Sequence, residues 1–87
     1  MADHEVRFSN AARKGLRRLD SESRERVVRA TEALGEEPRP HGARPVRGTP
    51  FLRIRSGDYR IIYEVREDVL LILVVRVAHR KEAYRNL

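Results

Sequence analysis

Three arginines stand in the stretch FLRIRSGDYRIIYEV, whose alternating pattern predicts two antiparallel strands joined by a tight turn. If Ser56-Gly57 is a two-residue turn, Arg55 lies opposite Asp58. Arg53 then lies opposite Arg60, and these side chains share one face of the hairpin. Two cations placed directly opposite each other repel, so this pairing lowers stability unless an anion lies between them. A phosphate group would remove the conflict.

The segment RVAHRKEAYR, which follows the last predicted strand, carries His79, Arg80 and Tyr84. We expect these side chains beside the arginine face of the hairpin. Cleaving RNA needs a group that deprotonates the 2′-hydroxyl, a cation that stabilises the pentacoordinate phosphate and an acid for the leaving oxygen. Arg, His and Tyr fill these roles without a metal, and His is the residue type that exchanges protons most readily near neutral pH. Tyr84 would stack on a base or cover the sheet.

The charge balance points to an anionic partner. The formal net charge is +6, with seventeen Arg and two Lys, and clustered cations attract phosphates and release counterions on binding. The alternative is an Arg-biased composition in which the sheet face is merely solvated, and a lone His is more often structural than catalytic. The absence of Cys excludes disulfides and thiolate metal sites, and no His and carboxylate spacing indicates a metal site. His4 and His41 are assigned no role.

A short strand over His4 to Phe8 and a pair of helices are predicted before the hairpin. Each helix is preceded by residues whose side chains accept hydrogen bonds from free amides, and these candidate N-caps are Ser9 or Asn10 for the first helix and Asp20 or Ser21 for the second. Apolar residues recur at helical spacing: Ala12, Leu16 and Leu19 in the first helix, and Val27, Ala30, Thr31 and Leu34 in the second. The first helix should end near Leu19, and the two helices should form a hairpin.

The second half of the chain predicts a loop followed by three antiparallel strands. From Glu36 to Pro50 four prolines and two glycines disfavour regular hydrogen-bonded structure. FLRIR alternates, YRIIYEV is rich in β-branched and aromatic residues, and VLLILVV is continuously apolar. Arg66-Glu67-Asp68 would form the second turn, and the third strand should be central and buried on both faces. The ending, KEAYRNL, predicts a short helical turn or a tail.

The length predicts one small domain over residues 1–87, because a chain of this size buries only about 60% of its unfolded surface. The opening MADHEVRFSN lacks an apolar signal core, and the most apolar run, Val69 to Val75, is too short to cross a bilayer. We therefore expect a cytoplasmic protein without a membrane partner.

The runs RIRSGDYRIIYEV and VVRVAHRKEAYR resemble the RelE family of toxins, which carry a similar basic hairpin and a similar ending. The resemblance extends over nearly the whole chain, because FSNAARKGLRRL and PRPHGARPVRGTPFLRIR also fall in the family's order. It implies an α+β fold of β-α-α-β-β-β order, with a helical hairpin packed on one face of a twisted antiparallel sheet and a basic concave face exposed. A short C-terminal helix or tail would complete it.

The resemblance also implies an activity: attack by a 2′-hydroxyl on the adjacent phosphate of messenger RNA in the ribosomal A site, with no metal or other cofactor. By position, Arg53, Arg55 and Arg60 match basic residues of the family's active face, which bind RNA, and Arg80 and Tyr84 match its C-terminal catalytic pair. Where Arg55 stands, the best-known pattern has a Lys proposed as general base. Arg is a poor base, so proton transfer is expected to move partly to His79.

The partners implied are a cognate RelB-like antitoxin, the ribosome and its messenger RNA, with operator DNA bound through the antitoxin complex alone. Two alternatives from other functional classes stay open. One is a ParE-like inhibitor of DNA gyrase, although such proteins usually lack the C-terminal Tyr and the full basic set. The other is a non-catalytic module that binds RNA or operator DNA, including a toxin that lost cleavage with its Lys.

Overall fold

A computed structural model describes residues 3–85 of the chain. The elements are, in chain order, β1 (Glu5–Phe8), α1 (Asn10–Arg17), α2 (Ser21–Glu36), β2 (Arg44–Pro45), β3 (Leu52–Ser56), β4 (Tyr59–Arg66) and β5 (Leu71–His79). The two helices pack on one face of a five-stranded sheet, which confirms the predicted α+β class. Neither helix is long and apolar enough to cross a membrane.

Both helices begin at caps that the sequence predicted. The hydroxyl of Ser9 accepts a hydrogen bond from the Ala12 amide at 3.0 Å, and the Asp20 carboxylate accepts one from the Ser23 amide at 3.1 Å. The contacts with Ser23 lower the pKa of Asp20. The α1 helix ends at Arg17, two residues before the predicted end, and Leu19 is buried beyond it. Each helix therefore begins at a cap of its own.

The sheet has the order β1-β5-β4-β3-β2 and is mixed, which corrects the prediction of a purely antiparallel sheet. The β1 strand runs parallel to β5, because the helical hairpin carries the chain across the sheet before β3 begins. The loop from Glu36 to Pro50 is also less irregular than predicted, since Arg44 pairs with Arg53 and Pro45 with Leu52 in the short β2 strand. The β5 strand lies between two neighbours, as predicted.

The hairpin between β3 and β4 turns one residue later than predicted. Gly57 and Asp58 form the turn, so Ser56 pairs with Tyr59 and Arg55 pairs with Arg60. Gly57 has a φ of +61°, a conformation that glycine adopts readily and that a tight hairpin turn needs at its first central position. A turn at Ser56-Gly57 would place a serine at that position. The shift moves the cross-strand partner of each residue by two positions, so the side chains stay on the faces that the sequence predicted.

The core lies between the helices and one face of the sheet. Its fully buried members include Val27 and Leu34 from α2, and Ile61 and Tyr63 from β4. The Tyr63 hydroxyl donates a hydrogen bond to the Pro38 carbonyl at 2.7 Å, and burial raises its pKa to about 12. We call the opposite side of the sheet the open face. Along β5 the side chains on the open face are only partly covered. The prediction that this strand is buried on both faces is therefore wrong.

Candidate functional site

The open face brings Arg53, Arg55 and Arg60 together. Their neighbours along the strands, Ile54 and Ile61, belong to the helix-side core, so alternation turns the arginines the other way. Arg55 lies directly opposite Arg60, which corrects the predicted Arg53 and Arg60 pair. The like-charge pair expected from the sequence therefore exists, with one member exchanged.

Arg60 is the least exposed of these cations, with 9% of its surface accessible. One guanidinium nitrogen donates a long 3.4 Å hydrogen bond to the Tyr59 carbonyl. Within residues 3–85 no carboxylate lies close enough to form an ion pair with Arg53, Arg55 or Arg60. A buried cation without a counter-ion is costly, and an anion placed beside it recovers that cost. The geometry therefore suits a phosphate between Arg55 and Arg60.

The segment after β5 folds back as hydrogen-bonded turns over residues 80–85, in which the Glu82 and Ala83 amides both donate to the His79 carbonyl. It therefore fits the predicted helical turn better than a tail. The Arg80 amide donates to the Asp58 carbonyl at 2.9 Å. Arg76, which lies opposite Ile62 on the open face, donates to the carbonyls of Ala83 and Arg85. Ile62 and Ala83 are fully buried although neither belongs to the helix-side core. The turns therefore cover part of the open face.

His79 lies on the other side of the sheet from these arginines, which corrects the expectation that it stands beside them. It pairs with Tyr59, and the two rings meet edge to face with centroids 6.0 Å apart. The cause is a bulge in β5 opposite Ile62 and Tyr63, which adds Val75 as an extra residue. Beyond the bulge the alternation changes phase, so Ala78 faces Arg60's side and His79 faces the helices.

Within the part of the chain that the structure describes, no three His or carboxylate side chains gather as metal ligands would. Arg53, Arg55 and Arg60 are donors and cations, which Mg²⁺ and Zn²⁺ do not accept as ligands. The arrangement can bind phosphate and stabilise extra negative charge on it.

A family model described as the ParE toxin of the type II toxin–antitoxin system parDE matches residues 6–84. The chain belongs to this family of type II toxins. Toxin RelG of Mycobacterium tuberculosis is 33% identical over 85 residues, which cover 93% of this chain and 95% of RelG. The mRNA interferase toxin RelE of Escherichia coli is 30% identical over 79 residues, covering 87% and 82%. The predicted likeness to RelE is confirmed.

The toxin also shares its fold with solved members of the family. In the crystal structure of the toxin–antitoxin complex RelBE2 of Mycobacterium tuberculosis, the matching chain superposes with a TM-score of 0.80 at 28% identity. The match covers 90% of this toxin and 99% of that chain. Nine tenths of this toxin therefore has the fold of that family member.

Two of the predicted residues lie in the C-terminal turns of the toxin. Arg80 is exposed directly after β5, and Tyr84 is 43% exposed on the turns that cover Arg76. Arg76 was missed by the sequence analysis, since a continuous alternation from Leu71 would turn it towards the helices. The signal that could have found it is register: Arg76 lies two residues before Ala78, which pairs with Arg60.

Proposed function

We propose that this toxin is a metal-independent endoribonuclease that cleaves messenger RNA in the ribosomal A site and so inhibits translation. The observation that carries the proposal is the Arg55 and Arg60 pair, in which a nearly buried arginine lies opposite a second cation with no carboxylate partner among residues 3–85. The Escherichia coli relative is named an mRNA interferase, which supports the same reaction class.

In the proposed reaction the 2′-hydroxyl loses its proton to solvent water, its oxygen attacks the adjacent phosphorus, and the bond from phosphorus to the 5′-oxygen of the next nucleotide breaks. The products are a 2′,3′-cyclic phosphate and a 5′-hydroxyl, which takes up a proton. Arg55 and Arg60 hold the scissile phosphate and stabilise the added charge of the pentacoordinate state. Arg53 binds a neighbouring phosphate, Arg80 stabilises the leaving oxygen, and Tyr84 stacks on a base.

The open face offers little for proton transfer, and this explains why we expect the ribosome to be needed. Arg stays protonated throughout and seldom accepts a proton. His79, the proton acceptor proposed from the sequence, lies on the helix side against Tyr59. Rate enhancement then depends on charge stabilisation and on orientation of the 2′-oxygen in line with the leaving group, and orientation alone can supply about 7 to 11 kcal/mol.

Cleavage on programmed ribosomes, with cut sites mapped by primer extension, tests this function. We expect cuts within the A-site codon and none at those sites in the same RNA without ribosomes. A variant with both Arg55→Ala and Arg60→Ala should lose the cuts, whereas Arg29→Ala on the outer surface of α2 should keep them. Equal cutting of free RNA, or no cutting at all, would contradict the proposal.

Inhibition of DNA gyrase is the second candidate, because the matching family model is named for ParE. The two activities separate in one comparison, in which gyrase supercoiling and ribosome cleavage are measured with the same preparation. Loss of supercoiling without cleavage would favour gyrase inhibition.

We further propose that a RelB-like antitoxin covers the basic open face and neutralises the toxin. The RelBE2 neighbour was solved as a toxin–antitoxin complex, and a face with unpaired arginines attracts acidic segments and RNA alike. Operator DNA would be bound through that complex. Co-expression with the product of an adjacent gene should relieve growth arrest and yield a stable complex, and persistence of the arrest would contradict this.

A further inference from the structure

A second basic region lies beside the open face, in a groove of about 420 Å³ between α1, the end of β5 and the C-terminal turns. Four cations line it: Lys14, Arg18, Arg76 and Arg85. Among the described residues, Glu82 is the one carboxylate that lines this groove. The groove shares Arg76 and Ala78 with the open face, so the two basic regions are continuous.

Close packing of α1 against β5 creates the groove. A Cβ atom on Gly15 would lie 2.0 Å from the Val77 carbonyl oxygen, so the helix backbone rests directly on the strand at this glycine. The Ser9 hydroxyl, at the start of the helix, donates to the Val75 carbonyl at 2.9 Å. Lys14 and Arg18 are four residues apart and therefore share the helix face beside the groove.

The charges in this groove are not neutralised from within. In the described residues, none of the four cations forms an ion pair, and Glu82 forms none either. Arg76 donates hydrogen bonds to the backbone carbonyls of Ala83 and Arg85, which carry no full charge. Elsewhere on the surface arginines do pair, as Arg26 does with Glu22 at 2.8 Å. The groove is thus a concentrated, uncompensated positive site.

We propose that this groove binds the phosphates of the RNA strand that flank the cleaved one. The RNA would run across the sheet at right angles to the β-strands, from Arg55 over Arg60 and Ala78 to Lys14 and Arg18. Two strand spacings of about 4.8 Å each and one helix diameter of about 10 Å give roughly 20 Å of track. Several phosphates fit along that length. The inference rests on the proposed function and adds the direction and extent of the RNA.

Binding of a non-cleavable oligoribonucleotide, carrying a 2′-O-methyl group at every position, tests the groove without requiring catalysis. Fluorescence anisotropy over a series of NaCl concentrations gives the slope of log affinity against log salt. Each phosphate contact on a single strand contributes about 0.7 to that slope. The double variant Lys14→Ala with Arg18→Ala should lower its magnitude by about 1.4.

The matched control removes two exposed cations on α2, Arg26 and Arg29, neither of which lines the groove. It should leave the salt slope at the wild-type value, and circular dichroism should show both double variants folded. Three results would overturn the proposed groove: a slope reduced equally in both double variants, a slope unchanged in the groove variant, or no binding by the wild type. If the wild type does not cleave RNA on ribosomes but the salt slope is lowered in the groove variant alone, the proposed function is rejected and the groove is retained.

Discussion

Replacing Arg60 with Met should make the toxin more stable and far less active. Arg60 is 9% exposed, has no carboxylate partner among residues 3–85, and lies opposite Arg55. Burying an unpaired ion costs several kcal/mol even after relaxation, and directly opposed like charges add a destabilising contribution of their own. Met is long and unbranched, so it can fill the space of the arginine stem without charge.

The expected gain in the free energy of unfolding is about 1 to 3 kcal/mol. It is smaller than the full desolvation cost because the guanidinium keeps its 3.4 Å contact with the Tyr59 carbonyl. For a domain of this size each kcal/mol raises Tm by roughly 4 to 8 °C. Urea unfolding followed by circular dichroism measures the change. Arg55→Met is the control: it removes the same repulsion at an exposed side chain, so its gain should stay below about 1 kcal/mol.

The activity of the same variant should move in the opposite direction. Loss of one preorganised charge-stabilising group typically lowers the rate by about 10² to 10³, and single-turnover cleavage on programmed ribosomes measures this loss. An Arg60→Met toxin that cleaves at the wild-type rate would show that Arg60 stabilises no transition state. A variant less stable than the wild type by 1 kcal/mol or more would show that its charge is compensated in the fold.

Three further predictions concern other parts of the toxin. His79→Gln should cleave within about threefold of the wild type with the same pH profile, because His79 lies on the helix side; a loss near 10² would restore it as the proton acceptor. Gly15→Ala should lower stability by about 1 to 3 kcal/mol in thermal unfolding, because the added Cβ meets the Val77 carbonyl, whereas an unhindered helix would gain from the change. A hydrogen bond from Arg39, and after it the charge and hydrogen bond of His4, hold the pKa of Glu67 below its usual value. The stability that Glu67 contributes is therefore present above the pKa it has in the unfolded chain, and is lost as the pH falls through its pKa in the folded protein. Glu67→Gln should therefore lower the urea midpoint at pH 7 and not at pH 3; equal effects at both would refute the coupling.

Local patterns in the sequence determined the starts of both helices and the faces of β3 and β4. Ser9 and Asp20 cap the helices because their side chains accept bonds from amides that no helical carbonyl can reach. Strand alternation placed Arg53, Arg55 and Arg60 away from the core, and this held even though the turn lies one residue later than predicted. Such features depend on neighbours within a few positions, which a single chain displays directly.

Tertiary structure alone decided how those elements meet. The bulge at Val75 changes the phase of β5, so that Arg76 lies on the open face and His79 lies on the helix side. The neighbours of Arg60, which are Arg55 on one side and Ala78 on the other, are set by the cross-strand register. Pairing across the sheet and packing over it are non-local contacts, so no periodicity in the chain displays them, and the chemistry available on the open face follows from them.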